Sequence, residues 1–225
     1  MKRLVLFVEG QGEAEAAPKL ISGILTELNA WDAVILDPNP FRVRHVNSLV
    51  KDGHREWRRK LQAALTRPNV GAVLLLLDGD IKRVEGSAFC AASVGRSLAA
   101  TAADVGGGAI FSVACVFARQ EFESWLIAGI ESLAGKTLCD GRTIPETIVG
   151  PGTDLEDSPR DAKDWLNGVI PGGYKPTRDQ AELTRLLDLR LVRDADMRSF
   201  RRLESAVKEL VNAIRTGDHV ATPVP

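Results

Sequence analysis

Residues 4–13 read Leu4-Val5-Leu6-Phe7-Val8-Glu9-Gly10-Gln11-Gly12-Glu13: five apolar side chains in a row, then a glutamate, two glycines and a second glutamate. A strand wetted on one face alternates apolar and polar residues. An unbroken apolar run fits a strand covered on both faces, as in the middle of a parallel sheet flanked by helices. In open α/β sheets, sites lie beyond the C-terminal ends of such strands, and Glu9 and Glu13 fall there. The glycines permit a sharp turn into the next helix, so the two carboxylates can face one cavity from either side of it. The same residues also suit an ordinary strand-to-helix turn with two solvated glutamates.

The pattern recurs twice. Val73-Leu74-Leu75-Leu76-Leu77 runs into Asp78-Gly79-Asp80, a second buried strand delivering carboxylates to its C-terminal edge, with Gly79 allowing Asp78 and Asp80 to converge. Two carboxylates held close repel one another unless a cation or proton intervenes, and hard oxygen donors at this spacing suit magnesium or manganese. Ser112 to Ala118 is a third apolar run, followed by Arg119-Gln120-Glu121-Phe122-Glu123. Phe122, Trp125, Leu126 and Ile130 then mark one helical face, which places Glu121 and Glu123 at the strand-to-helix junction. First-turn glutamates that favour the helix dipole would look the same.

Between these strands, Leu20, Ile21, Ile24, Leu25 and Leu28 recur at helical spacing, with Pro18 read as part of the first helical turn. Ala33 to Leu36 reads as a short strand, Ser93 to Ala103 as a crossover helix, and Gly106-Gly107-Gly108 as its terminator. The expected class is therefore α/β, with a mostly parallel central sheet flanked by helices and a helical C-terminal extension. Residues 1–137 form the expected core. From 138 to 218 an irregular Gly-, Pro- and Asp-rich excursion, with a helical piece near Arg160 to Leu166, leads into the C-terminal helices. Thr177-Arg178-Asp179-Gln180 matches a capping box opening a helix through Leu183, Leu186 and Leu187. The last helix uses Phe200, Leu203, Val207, Leu210 and Ile214, and residues 219–225 read as a disordered tail.

Composition narrows the function less than the motifs do. The 225 residues are 44% hydrophobic and 26% charged, ordinary for a globular protein, with a formal net charge of −1 and a pI near 6.3. Contact with nucleic acid would have to come from a local patch. Residues 42–60 supply one: Arg42, Arg44, Lys51, Arg55, Arg58, Arg59 and Lys60 outnumber Asp52 and Glu56 by five charges. Trp57, Leu61, Ala64 and Leu65 mark the apolar side of the helix there, turning Arg55, Arg58 and Arg59 toward solvent. That is either a plain solvated face or a surface for phosphates. Cys90, Cys115 and Cys139 are too few and too far apart for a disulfide framework or zinc site, and read as reduced core residues. The apolar run after Lys2-Arg3 ends at Glu9, too short for a signal-peptide core or membrane span, so a cytoplasmic location and no membrane partner are expected.

Val8-Glu9-Gly10 followed by Leu77-Asp78-Gly79-Asp80 resembles the Toprim domain, a Rossmann-like metal-binding fold shared by primases, topoisomerases and a set of nucleases. Phe7-Val8-Glu9-Gly10 with Glu13, Gln120-Glu121-Phe122-Glu123-Ser124-Trp125, Tyr174-Lys175-Pro176, Asp179-Gln180 and Phe200 together look like one bacterial Toprim-like family, over nearly the whole chain. Its members often stand beside ABC- or SMC-like ATPases and are linked to defence against phage. The resemblance implies that Glu9, Asp78 and Asp80 are ligands to one or two Mg²⁺ or Mn²⁺ ions, with Glu13 a further one. Glu121, Glu123 and Lys175 belong to the narrower pattern, with Glu121 or Glu123 offering a further carboxylate to the ions. A topoisomerase would need a nucleophilic tyrosine on a separate domain, and Tyr174 is the sole tyrosine. A primase would need a template-binding module that the scattered cysteines do not supply.

The expected activity is thus metal-dependent cleavage of DNA or RNA, in a defence system with an ATPase partner. Glu9, Asp78 and Asp80 would be catalytic at the metal, Lys175 would stabilise developing negative charge, and Arg42, Arg44, Arg55, Arg58 and Arg59 would hold the nucleic acid. The alternative is a non-catalytic Toprim-fold subunit that docks on or regulates the ATPase. An aspartate-nucleophile phosphatase fits less well, because Ile81-Lys82 breaks that motif and Glu9 has no part in it.

Overall fold

The computed structural model of the chain describes residues 1–152, 154–156 and 159–224. Thr153, Asp157 and Ser158, inside the expected excursion, and Pro225, in the expected tail, lie outside the described residues.

The opening run forms β1 (Lys2–Val8), followed by α1 (Gln11–Glu27), β2 (Val34–Leu36), β3 (Phe41–Arg42), α2 (Val46–Leu65) and β4 (Val70–Asp78). A small antiparallel hairpin, β5 (Arg83–Val84) and β6 (Ser87–Ala88), leads to α3 (Ala91–Ala102) and then β7 (Ser112–Ala118). The second half is helical: α4 (Glu123–Ala128), α5 (Ala162–Val169), a π-helical turn at Pro176–Gln180, α6 (Ala181–Leu186), α7 (Leu189–Asp194) and α8 (Arg198–Thr216), closed by β8 (Ala221–Thr222). The main sheet has the order β2-β1-β4-β7-β8 and is parallel throughout, with β3 also pairing β1.

The unbroken apolar runs have the cause inferred from them. Leu4, Leu6 and Val8 of β1, Leu74 and Leu76 of β4, and Ala114 and Val116 of β7 face one apolar cluster with α1, α4 and α8. Val5, Phe7, Val73, Leu75, Leu77, Val113 and Phe117 face the other, with Trp57 and Leu61 of α2 and Leu98 of α3. Both pleat faces are dry, so no position along these strands needs a polar side chain. The first cluster runs from Leu4 to Val211 and draws α5 to α8 onto the same core.

Four local features depart from the sequence reading. Glu13 accepts the Gly10 N–H at 2.8 Å and so starts α1 at Gln11, which leaves Pro18 inside the helix instead of in its first turn. Asp52, Gly53 and His54 take positive φ and break α2 into two pieces. Thr177 and Gln180 do not form a capping box: Asp179 instead accepts the Lys175 N–H at 2.7 Å and pairs with Arg142 and Arg178, while Gln180 turns into the core. Finally, the expected disordered tail contains β8. The edge of β7 offers unpaired main-chain groups, so Ala221 and Thr222 align with Val113 and Ala114, and Arg202 binds the Thr222 hydroxyl at 2.6 Å.

Candidate functional site

β1, β4 and β7 are neighbours and run parallel, with Phe7 opposite Leu75 and Asp78 opposite Ala118. Their C-terminal ends therefore stand at nearly one level, and the acidic residue that follows or ends each strand reaches the same edge. Glu9 lies one residue past β1, Asp78 closes β4, and Glu121 and Glu123 stand at the turn from β7 into α4.

That edge is built by close backbone contacts. The Gly79 N–H donates to the Gln120 carbonyl at 2.9 Å, and a Cβ at residue 79 would lie 2.6 Å from the Ala118 carbonyl oxygen. Glycine is thus required for the close approach of the two strand ends. Gln120 holds φ +62 at the turn, a strained conformation for a non-glycine residue and of a kind that concentrates at functional sites. The Phe122 N–H then donates to Asp78 Oδ1 at 2.8 Å, locking the end of β4 to the start of α4. On the other side, Gly12 packs against the π-helical turn, where an added Cβ would meet Pro176 and stand 2.1 Å from Gln180 Oε1.

At the centre of the carboxylates sits Lys163 of α5. Its ammonium pairs with Glu121 Oε1, lies 3.4 Å from Glu123 Oε2 and 3.8 Å from Asp78 Oδ2. Glu123 is fully buried; its Oε1 accepts from the Tyr174 hydroxyl at 2.9 Å and from Gln180 Nε2 at 3.3 Å. Among the described residues, two buried carboxylate oxygens, Glu121 Oε2 and Glu123 Oε2, have no hydrogen-bond donor. Among these residues Glu123 Oε2 has only the longer ion-pair contact to Lys163.

The electrostatics follow from burial and crowding. Desolvation, reinforced by Glu13 and opposed by Lys163, pushes the Glu9 carboxyl from an ordinary 4.5 up to about 7. Asp78 is raised by burial and by Glu123, and Glu123 by burial, against the pull of Lys163 and the Tyr174 hydrogen bond. For Lys163 burial alone would favour the neutral amine, but Glu123, Asp78 and Glu121 outweigh it and hold the ammonium above the ordinary lysine range.

These shifts give a signed expectation for stability. A carboxyl raised in the folded state keeps its proton to higher pH than in the unfolded chain. Between pH 4.5 and about 7 unfolding then releases protons, and stability falls as pH rises. Carboxyls lowered by partners, such as Asp188 and Asp179, complete their opposite effect below that window. His54, whose pKa burial lowers from 6.5, acts the opposite way below pH 6.5, so the readout is the difference between proteins: thermal unfolding in chelator is expected to show wild type losing more Tm than Glu9→Gln between pH 5.5 and 7.5, and equal slopes would contradict the raised Glu9 carboxyl.

Not every residue expected at the site is there. Asp80 is exposed and, among the described residues, forms no ion pair, whereas Asp78 accepts from the Phe122 N–H and faces Lys163. Lys175 is exposed, and the cation among the carboxylates is Lys163. Glu13 does sit beside Glu9, but one of its oxygens is committed to capping α1. Both Glu121 and Glu123 face Lys163, so the pair is used together. Lys163 itself carried no signal in sequence, being one lysine in a Gly- and Pro-rich stretch.

The basic patch divides as well. Arg58 pairs with Asp104 at 2.8 Å and Arg59 with Glu56 at 2.7 Å, which neutralises both. Arg42, Arg44 and Arg55 are exposed. Because β3 pairs with the end of β1, with Arg42 opposite Val8, Arg42 stands at the same sheet edge as Glu9. Of the three cysteines only Cys115 is a core residue; Cys90 and Cys139 are exposed.

Residues 8–208 match a family described as a domain of unknown function, DUF4276. The chain belongs to the DUF4276 family. The matched span opens at Val8, one residue before Glu9, and ends within α8, so the whole acidic cluster, Lys163 and Tyr174 lie inside the DUF4276 region. No curated protein and no solved structure matches the chain. Among the described residues, no helix of this DUF4276 protein is long and apolar enough to cross a membrane.

Proposed function

We propose that this DUF4276 protein is a divalent-metal-dependent phosphodiesterase acting on nucleic acid, with a Toprim-like arrangement of its acidic residues. The observation that carries the reading is the convergence of Asp78, Glu121 and Glu123, from the ends of two adjacent parallel strands, on one cation, with two buried carboxylate oxygens that lack a donor among the described residues and Glu9 just past the end of the third strand. Unpaired anionic oxygens out of water are costly, and a hard cation is the partner their chemistry suits.

The residues present fit Mg²⁺ or Mn²⁺ in donor type. Among the described residues no three His, Cys, Asp or Glu side chains stand close enough to form a closed ligand set, and Lys163 contacts three of the carboxylates. Bound there, such an ion supplies charge neutralisation for a phosphodiester and acidifies water. Glu9, Asp78, Glu121 and Glu123 would hold it, the Tyr174 hydroxyl and Gln180 fix the orientation of Glu123, and Arg42, Arg44 and Arg55 bind the phosphate backbone leading to the edge. An ABC- or SMC-like ATPase partner and a role in phage defence are part of the proposal on the strength of the resemblance in motif order. A second reading, a non-catalytic subunit of such an ATPase, is favoured by Lys163, which neutralises the cluster as a purely structural ion pair would.

The test is metal-dependent stability. A ligand bound only by the folded state raises Tm by mass action, so millimolar Mg²⁺ or Mn²⁺ is expected to raise the Tm of the wild type and not that of Asp78→Asn. No shift in the wild type would remove the metal site and the activity with it.

A further inference from the structure

We infer that Lys163 is the built-in counter-ion of the acidic cluster and that a divalent cation binds there only by displacing its ammonium. The inference rests on the metal-binding reading and deepens it, by naming the group that sets how tightly the ion is held.

The geometry carries it. Lys163 is the one cation within 4 Å of Asp78, Glu121 and Glu123 among the described residues, and its ammonium occupies Asp78 Oδ2, Glu121 Oε1 and Glu123 Oε2, oxygens that an ion held between the three carboxylates would need. Glu123 and its partners are the immobile side of the site: Glu123 is 0% exposed, and Tyr174 and Gln180 hold its other oxygen. Lys163 is the mobile side. Its side chain is 34% exposed, it reaches in from an eight-residue helix, and α5 is seated by Ala162 and Leu166, which remain buried whichever way the lysine points. Rotating a long, flexible side chain outward exposes only a charged head that water solvates well. Leaving it in place beside a dication would set like charges against one another in a poorly screened pocket.

Without metal, the ammonium keeps mutually repelling carboxylates converged, so the site is assembled before the ion arrives. The cost is competition. Lys163 therefore weakens metal binding, whereas a lysine that merely supported the site would strengthen it.

The experiment is calorimetric titration of Mn²⁺ into wild type, Lys163→Met, Lys163→Arg and, as a control for net charge, Lys208→Met on the exposed side of α8. Lys163→Met is expected to bind Mn²⁺ at least ~10-fold more tightly than wild type, since a unit positive charge has left the ligand cage. Lys163→Arg and Lys208→Met should stay within a few-fold of wild type. Equal or weaker binding by Lys163→Met, with the wild type binding normally, overturns the inference while leaving the metal site standing. Absence of binding in wild type and Lys163→Met alike overturns both.

Lys163→Met leaves buried carboxylates uncompensated, so a second measurement uses the wild type alone. Acylation by an amine-reactive ester, read by mass spectrometry, is expected to rise several-fold at Lys163 in Mn²⁺-saturated protein, with Lys208 unchanged, because the displaced ammonium becomes free. Unchanged labelling of Lys163 at saturation would show that the ion and the ammonium coexist, and the inference would fail.

Discussion

Glu9→Gln and Glu123→Gln are each expected to lower Mn²⁺-supported cleavage of nucleic acid by about 10²-fold or more, the scale seen when one preorganised electrostatic group is removed from an active site. Asp80→Asn should cost no more than a few-fold. The motif Asp78-Gly79-Asp80 treats its two aspartates alike, but only Asp78 faces the cluster, fixed by the Phe122 N–H, while Asp80 is exposed. Glu121→Gln should fall between them, because its partner Lys163 also binds Glu123 and Asp78.

The contrast with binding residues gives the assay its force. Ligands at the metal act on the transition state, and phosphate contacts act on affinity. Arg42→Gln with Arg44→Gln should therefore weaken binding and flatten its salt dependence at unchanged kcat, whereas substitution of the ion-paired Arg58 and Arg59 should do less. The measurement is single-turnover cleavage of single- and double-stranded DNA and RNA, with and without an ATPase partner. Loss of activity in Asp80→Asn equal to that in Glu9→Gln would contradict the site as built. No cleavage by wild type under any of these conditions would leave the non-catalytic subunit as the reading.

Trp125→Ala should lose about 3–5 kcal/mol of unfolding free energy. Trp125 is fully buried on α4, with ring centroids 5.3 Å from Phe122 and 5.7 Å from Phe200, and its indole N–H donates to the Ser199 hydroxyl at 3.1 Å. Removal opens a cavity and orphans a buried hydroxyl at once. With typical domain stabilities of about 5–15 kcal/mol, the variant would be marginal. Trp125→Phe keeps most of the ring packing and should retain more than half of the lost stability. Urea denaturation in chelator measures both, and a Trp125→Ala loss below about 1 kcal/mol would mean that α4 is not seated as described. Because Glu123 is on the same helix turn, metal affinity should fall alongside stability even though Trp125 touches no ligand.

The two substitutions sample different levels of the same architecture. β1, β4 and β7 were legible in sequence because a strand covered on both faces needs no polar residue, and Leu4 to Val8, Val73 to Leu77 and Ser112 to Ala118 show none but Ser112 at one end. The helical periods of α1 and α8 were legible for the matching reason, one dry face every 3.6 residues. Parallel pairing would put the end of each strand at the same edge, which is why Glu9, Glu13, Asp78, Asp80, Glu121 and Glu123 read as one acidic group in the amino-acid sequence alone.

Tertiary structure decided what such local rules do not encode. Lys163 meets Glu121 across 42 residues and Tyr174 meets Glu123 across 51; no period links them, and the packing of α5 on α4, with the chain at Tyr174 reaching Glu123, makes the contacts. Asp80 is exposed and, among the described residues, forms no ion pair, although it follows Asp78 by two residues. β8 exists because β7 left an edge to be paired, a need invisible in residues 219–224 themselves. The sequence by itself thus determined the strands and the acidic character of their ends, since both follow from burial along one element; the tertiary structure decided which carboxylates meet and which cation they hold, since that follows from how separate elements pack.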